Sequence, residues 1–347
     1  MIRSLFSTVV TWLRDAISGW DWFWFSPADV RLVCGMRIAV GLVLLYVYGT
    51  SFSQALDLIG PSAWIDQQAV GELMQPDEEG FAIVNAWTPS LWHYVSSPQA
   101  SLSLYGLFLV IIAFYTAGLF TRVSNLLVLI GHISVIHRAF IFHYGVDNVL
   151  AMLLLYLLIA PCGARFSVDA WLRRNWRKSS VDSLPTESVG ANFALRCIQL
   201  HLCVIYLCAG LAKLQGDSWW DGTAVWQVVM SNEIHLLDLR PVAHLGDFAV
   251  VTLSLILVVG TLFYECSFAL LIWNPKLRPF YLITAVGLHG GIALMMGLLA
   301  FGVTMIIACC SFIPLEWIAA WDAKRASDSL ESDSDADISP SAALPTP

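Results

Sequence analysis

Residues 191–222 read ANFALRCIQLHLCVIYLCAGLAKLQGDSWWDG. From Ala191 to Leu214 the stretch is predominantly apolar, and at about 1.5 Å per residue a helix of this length crosses a hydrocarbon core of roughly 30 Å. Runs of the same kind recur at about 28–50, 101–119, 122–141, 145–163, 247–273, 278–298 and 300–320. The expected fold is therefore all-α, a polytopic membrane bundle of about eight transmembrane helices. Composition agrees, with 58% hydrophobic and 13% charged residues and a mean hydropathy of +0.70. Ordinary globular domains carry roughly a quarter charged residues, so a soluble enzyme of the usual kind is excluded. No stretch between the apolar runs is long enough for a large soluble domain.

Charge placement orients the bundle. The loop 51–100 holds Asp57, Asp66, Glu72, Asp77, Glu78 and Glu79 but no Lys or Arg, whereas the segment after the fourth run holds Arg165, Arg173, Arg174, Arg177 and Lys178. With both termini in the cytoplasm, Arg3, Arg14, Arg31, Arg122, those five, Lys276, Arg278, Lys324 and Arg325 fall inside, and only Arg138, Lys213 and Arg240 fall outside. That is the asymmetry of the positive-inside rule. A bacterial inner membrane is the expected location.

Outside the spans, residues 1–25 place Ile2, Leu5, Phe6, Val9, Trp12, Leu13, Ile17 and Trp20 at helical spacing, as in a helix lying in the interface. A cleaved signal peptide would need a small-residue cleavage site that the segment lacks. The segment 179–190 is expected to be a cytoplasmic linker within a membrane domain over 26–320. Residues 321–347 read as a disordered acidic tail, with five acids and no base over 326–347. The eight cysteines form no CxxC pair, most lie within spans, and no metal site is expected. His132 and His137 stand about 140° apart on a helix and make a poor metal pair. No basic cluster with interleaved aromatics suggests nucleic acid. Membrane lipid is the expected surrounding, and a secreted peptide or protein is a possible substrate or partner. The halves on either side of the linker show no sequence repeat.

Lys213 is one of few cations on the outer side. Tyr206, Gly210 and Lys213 follow at i, i+4 and i+7, a small and polar stripe on an apolar helix. An ionisable group in a span usually faces the bundle interior and marks function, although a terminal Lys can also simply snorkel to the interface. Desolvation lowers the pKa of a buried Lys, and a neutral amine is a usable base for a phenol or hydroquinone. His143 falls in a short outer loop. His289 lies mid-span beside Gly287, Gly290 and Gly291, where helix packing alone can account for the glycines. Arg37 and Glu265 are expected to pair with each other inside the bundle. Trp219 fits an aromatic belt, and Asp221 with Gly222 a turn.

AGLAKL (209–214) followed by Trp219 or Trp220, Asp221 and Gly222 resembles the signature of the horizontally transferred transmembrane (HTTM) domain. That is the membrane part of vitamin K-dependent gamma-glutamyl carboxylases. FWFSP (23–27), Arg37, GLFTR (118–122), YGVDNVLAML (144–153) and FSVDAW (166–171) extend the resemblance over about residues 20–318. It implies reduced vitamin K or another quinol as cofactor, with oxygen and carbon dioxide as co-substrates. Lys213 is then the base that deprotonates the quinol, so that epoxidation generates the strong base for gamma-carboxylation of a glutamate. His143 matches a family histidine with a catalytic role. Tyr206, His289, Trp219 and Asp221 are expected around the quinol. The carboxylases carry a sizeable lumenal domain after their spans; here an acidic tail follows the last span, leaving the loop 51–100 as the only platform for a protein substrate. The alternative is a non-catalytic scaffold or maturation partner for a secreted peptide, with Lys213 snorkelling. A haem- or quinone-linked redox protein using His201 and His289 is a third reading.

Overall fold

With no water in a bilayer core, a spanning backbone must satisfy its own N–H and C=O groups, and apolar runs do so as helices. The computed structural model describes residues 2–73, 75, 88–176, 186–230, 240–314 and 316–317. Met1–Phe312 form one unit and Ile313–Pro347 a second; the expected acidic tail, 321–347, lies outside the described residues.

The first unit begins with α1 (Ile2–Phe25), a single uninterrupted helix, followed by β1 (Ala28–Asp29) and α2 (Val30–Thr50). Then come α3 (Ala55–Ile59), α4 (Gln67–Leu73), α5 (Pro98–Ala117), α6 (Thr121–Arg138), α7 (Gly145–Ile159) and α8 (Val168–Trp176). The remainder is β2 (Glu187–Ser188), α9 (Val189–Lys213), α10 (Asp217–Trp220), α11 (Ala224–Met230), α12 (Asp247–Leu271), α13 (Arg278–Met295) and α14 (Leu299–Cys309). Each of the eight apolar runs coincides with one of the longer helices. Four helical stretches, Val30–Ile59, Pro98–Ala117, Val189–Lys213 and Asp247–Leu271, are long and apolar enough to cross a membrane. Two shorter apolar stretches, Gly145–Ile159 and Leu299–Phe312, accompany them.

Two boundaries differ from the sequence expectation. The linker 179–190 gives way early, because Glu187–Ser188 pair with β1 and Val189 already opens α9; 179–185 lie outside the described residues. The last run does not continue as one helix to 320. It closes with a 3₁₀ turn over Cys310–Phe312 just ahead of Pro314, which cannot donate to a helical ladder. The loop 51–100 contains α3, α4 and a turn over Leu91–Tyr94. Arg138, buried at the end of α6, holds this region by donating to the carbonyls of Ile65 (2.9 Å) and Gly60 (2.5 Å).

The sequence shows no repeat, but the packing does. In the first half α2 packs on α5, α5 on α6, and α6 on α7; in the second α9 packs on α12, α12 on α13, and α13 on α14. Between halves, α7 packs on α9 as α14 does on α2, and the short helices behave alike, α3 lying on α5 and α11 on α12. Exchanging α2, α5, α6, α7 for α9, α12, α13, α14 maps each of these pairings onto another. The strands that lead into the two halves pair antiparallel, Ala28 opposite Ser188 and Asp29 opposite Glu187, as segments flanking a two-fold axis would.

Arg37 does not pair with Glu265. It donates through Nη1 to the carbonyls of Tyr115 (2.8 Å) and Thr116 (2.9 Å), and through Nη2 to that of Phe166 (2.5 Å). The last carbonyls of a helix lack partners within it, and at the end of α5 this guanidinium supplies them. Gly118 follows with φ +73°, and a Cβ there would sit 2.4 Å from both Arg37 Nη1 and Ser167 Cβ. Asp169 then caps α6, accepting from the Phe120 amide (2.9 Å), the Thr121 amide (2.8 Å) and the Thr121 hydroxyl (2.7 Å). GLFTR, FSVDAW and Arg37 are thus one structural knot.

Candidate functional site

Tyr206, Gly210 and Lys213 share the face of α9 that meets α12. Gly210 makes the approach possible, because a Cβ there would lie 2.7 Å from Cys266 Sγ and 3.3 Å from Glu265 Cβ. With the two helices this close, Lys213 Nζ reaches Glu265, 2.8 Å from Oε2 and 3.0 Å from Oε1. The lysine side chain keeps 27% of its surface exposed and the glutamate 9%, so the pair closes a buried acid beneath a half-buried amine. The Trp219 ring covers the amine from the other side, its centroid 5.4 Å from Nζ, which adds cation–π attraction.

About two helical turns back along α9, the Tyr206 hydroxyl lies 2.6 Å from His289 Nε2 and 3.3 Å from Cys309 Sγ. Tyr206 is held by rings on α12, with centroids 4.2 Å from Phe268 and 5.4 Å from Tyr264. His289 is 3% exposed, and its Nδ1 has no hydrogen-bond partner among the described residues. A buried polar atom left so costs about 1–3 kcal/mol relative to one that is satisfied. The arrangement therefore presents, on three helices, an amine–carboxylate pair and a phenol–imidazole pair with one unused nitrogen. Such a set can move a proton and can receive an oxygen-bearing ligand.

The other expected residues are elsewhere. Asp221 spends its carboxylate on a turn, Oδ1 accepting from the Thr223 amide (3.0 Å) and hydroxyl (2.6 Å); those two bonds hold its pKa below the usual carboxylate range. Gly222, at φ +76°, completes the turn, and its carbonyl accepts from Ser254 Oγ on α12. His143 does not join Lys213 in the described contacts. Its Nε2 lies 3.0 Å from Asn148 Oδ1, and the residue lines a separate cavity. Phe301 stands between the two regions, its ring centroid 6.0 Å from that of His289 and its edge 3.2 Å from where a Gly145 Cβ would lie.

Of the remaining histidines, His201 Nδ1 faces Tyr156 Oη at 3.1 Å, His132 meets Tyr48, and His137 meets the Pro89 carbonyl. Among the described residues no three His, Cys, Asp or Glu are grouped to hold a metal ion. The site member missed from sequence is Glu265, which was expected to pair with Arg37; its signal was being an acid well inside an apolar helix. Compared with family models, with curated proteins and with solved structures, the chain matches none.

Proposed function

We propose that the chain is an eight-span membrane enzyme that deprotonates a quinol at its outer face, resembling the membrane domain of vitamin K-dependent gamma-glutamyl carboxylases. The observation that carries this reading is the Lys213–Glu265 pair, half-buried at the end of an apolar helix on the side where cations are scarce. The repeated packing supports eight spans, since α7 and α14, too short by themselves, take equivalent places in the two halves. Both termini then face the cytoplasm, and a bacterial inner membrane is the setting.

The pair works as a unit. Lys213 Nζ stands 2.8 Å from a Glu265 oxygen, close enough for a proton to pass from the amine to the carboxylate and leave the amine able to accept another. The amine next takes the proton of a quinol hydroxyl, and the unused His289 Nδ1 receives or orients a ligand oxygen. A reduced vitamin K or related quinol, with oxygen, supplies the driving chemistry, and carbon dioxide adds to a glutamate of a secreted peptide or protein. Tyr206 and Trp219 shape the site, while Asp221 supports it through the turn.

The competing reading is a scaffold for a secreted peptide, for which the ion pair is only a fastening of α9 to α12. Lys213→Arg separates the two. Arginine keeps the charge and the pairing but stays protonated, so the enzyme loses quinol turnover by at least a hundredfold while the fastening survives. Turnover that persists in Lys213→Arg removes the base role.

A further inference from the structure

Among the described residues, two positions other than glycine hold a left-handed backbone, and both are phenylalanines: Phe120 at φ +46° and Phe166 at φ +50°. Sterics disfavour that conformation for any residue with a Cβ, and a bulky ring tolerates it poorly. Both belong to the knot around Arg37. The Phe120 amide donates to Asp169 Oδ1 (2.9 Å), and the Phe166 carbonyl accepts from Arg37 Nη2 (2.5 Å). The Asp169 amide in turn donates to the Gly118 carbonyl (3.0 Å). Strain of this kind persists only where the surroundings impose it, and it gathers at functional surfaces. Core packing does not account for it, because Phe120 and Phe166 remain 68% and 62% exposed.

Arginines accompany the two rings. Arg122 follows Phe120 by two residues and α8 carries Arg173 and Arg174, all three exposed. Trp171, one helical turn before Arg174, is exposed as well, while Ala170 between Asp169 and Trp171 is buried. Arg173 donates to the Gly163 carbonyl (2.7 Å), and no carboxylate pairs with any of the three arginines among the described residues. Asp169, the acid of this surface, already accepts three hydrogen bonds from Phe120 and Thr121. Exposed rings interspersed with unpaired cations at the ends of apolar helices match the boundary where acyl chains give way to charged headgroups. A guanidinium fork suits phosphate oxygens, and the positive balance disfavours a zwitterionic headgroup, whose cation would meet like charge. We infer that the surface formed by residues 120–122 and 166–174 binds the headgroup of an anionic phospholipid, the arginines taking the phosphate and Phe120, Phe166 and Trp171 seated at the top of the acyl chains. The inference uses the membrane setting and does not rest on Lys213 acting as a base.

The test is lipid retention by the full chain. Protein stripped of lipid in detergent is incubated with equal amounts of phosphatidylglycerol and phosphatidylcholine carrying the same acyl chains, repurified, and its bound lipid quantified by mass spectrometry. The wild-type chain is expected to prefer phosphatidylglycerol by roughly fivefold or more. Arg122→Gln, Arg173→Gln and Arg174→Gln combined should lose most of that preference. Lys276→Gln, which removes an exposed cation from another loop on the same expected side, should keep it. Glycine adopts positive φ freely, so Phe120→Gly combined with Phe166→Gly should hold the thermal midpoint close to that of the wild type and yet reduce retained phosphatidylglycerol severalfold. A purely structural role for the two rings gives the reverse, a lowered midpoint with lipid retention unchanged, and would overturn the inference. Equal retention of the two lipids by the wild-type chain, an unchanged preference in the arginine variant, or an equally large loss in Lys276→Gln would do so too. Quinol turnover is read separately, so failure of this inference and failure of the Lys213 reading are distinct results.

Discussion

At the residue scale, Lys213 and Glu265 are worth more together than apart. Leaving a buried charge without its partner costs about 3–5 kcal/mol, and the exposure of Lys213 reduces this to about 1–3 kcal/mol. Glu265→Gln and Lys213→Met are each expected to lower the thermal midpoint in detergent by several degrees. The double variant should lose less than the sum of the two, and a full double-mutant cycle reads the coupling. Additive losses would mean the pair is not formed. Lys213 was legible in the sequence because it is one of only three cations on the side expected to face outward, where the charge pattern disfavours them. Its partner was not, because two lone charges on different spans can be matched only when the helix order around the bundle is known. Arg37 seemed available for Glu265, yet it is consumed by the bare carbonyls at the end of α5, a demand that sequence spacing does not display.

Helices were the most legible level. Every apolar run became a helix, because burial and backbone satisfaction point the same way in a bilayer. Their ends were less clear, since caps depend on distant groups, as Asp169 does for α6. The region between α2 and α5 was the least legible, its short helices being held by contacts from distant residues such as Arg138 to Gly60 and Gln67 to His93. His93 gives this region a pH response. Burial, then the charges of Arg138 and His137, push its pKa below the ordinary 6.5. The folded state therefore holds it neutral, and the unfolded state binds the proton first. Stability is intact above about pH 6.5 and falls as the pH drops through that value. Protease cleavage of this region should increase between pH 7.5 and 5.5, and His93→Phe should flatten the change. A profile unchanged by the substitution would assign the effect to another group.

Across Met1–Phe312, two sets of four helices with corresponding pairings hold the Lys213–Glu265 pair and, one in each set, the Tyr48–His132 and Tyr206–His289 pairs. The repeat was invisible in the sequence because the halves share packing partners more than residues. Topology is checked at this scale. Trp64, in the loop expected to face outward, and Trp171, on α8, are both exposed, at 77% and 54%. In a chain whose native cysteines are replaced, Trp64→Cys is expected to react with an impermeant maleimide in intact cells. Trp171→Cys should react only after lysis. The opposite pattern would invert the bundle and place Lys213 on the inner face.

The most direct measurement supplies reduced vitamin K and oxygen to the detergent-purified, folded protein and follows epoxide. The account predicts that the wild-type chain forms epoxide and that Lys213→Ala, folded and inserted alike, does not. No epoxide from the wild-type chain with several quinols, or equal amounts from the variant, would contradict it.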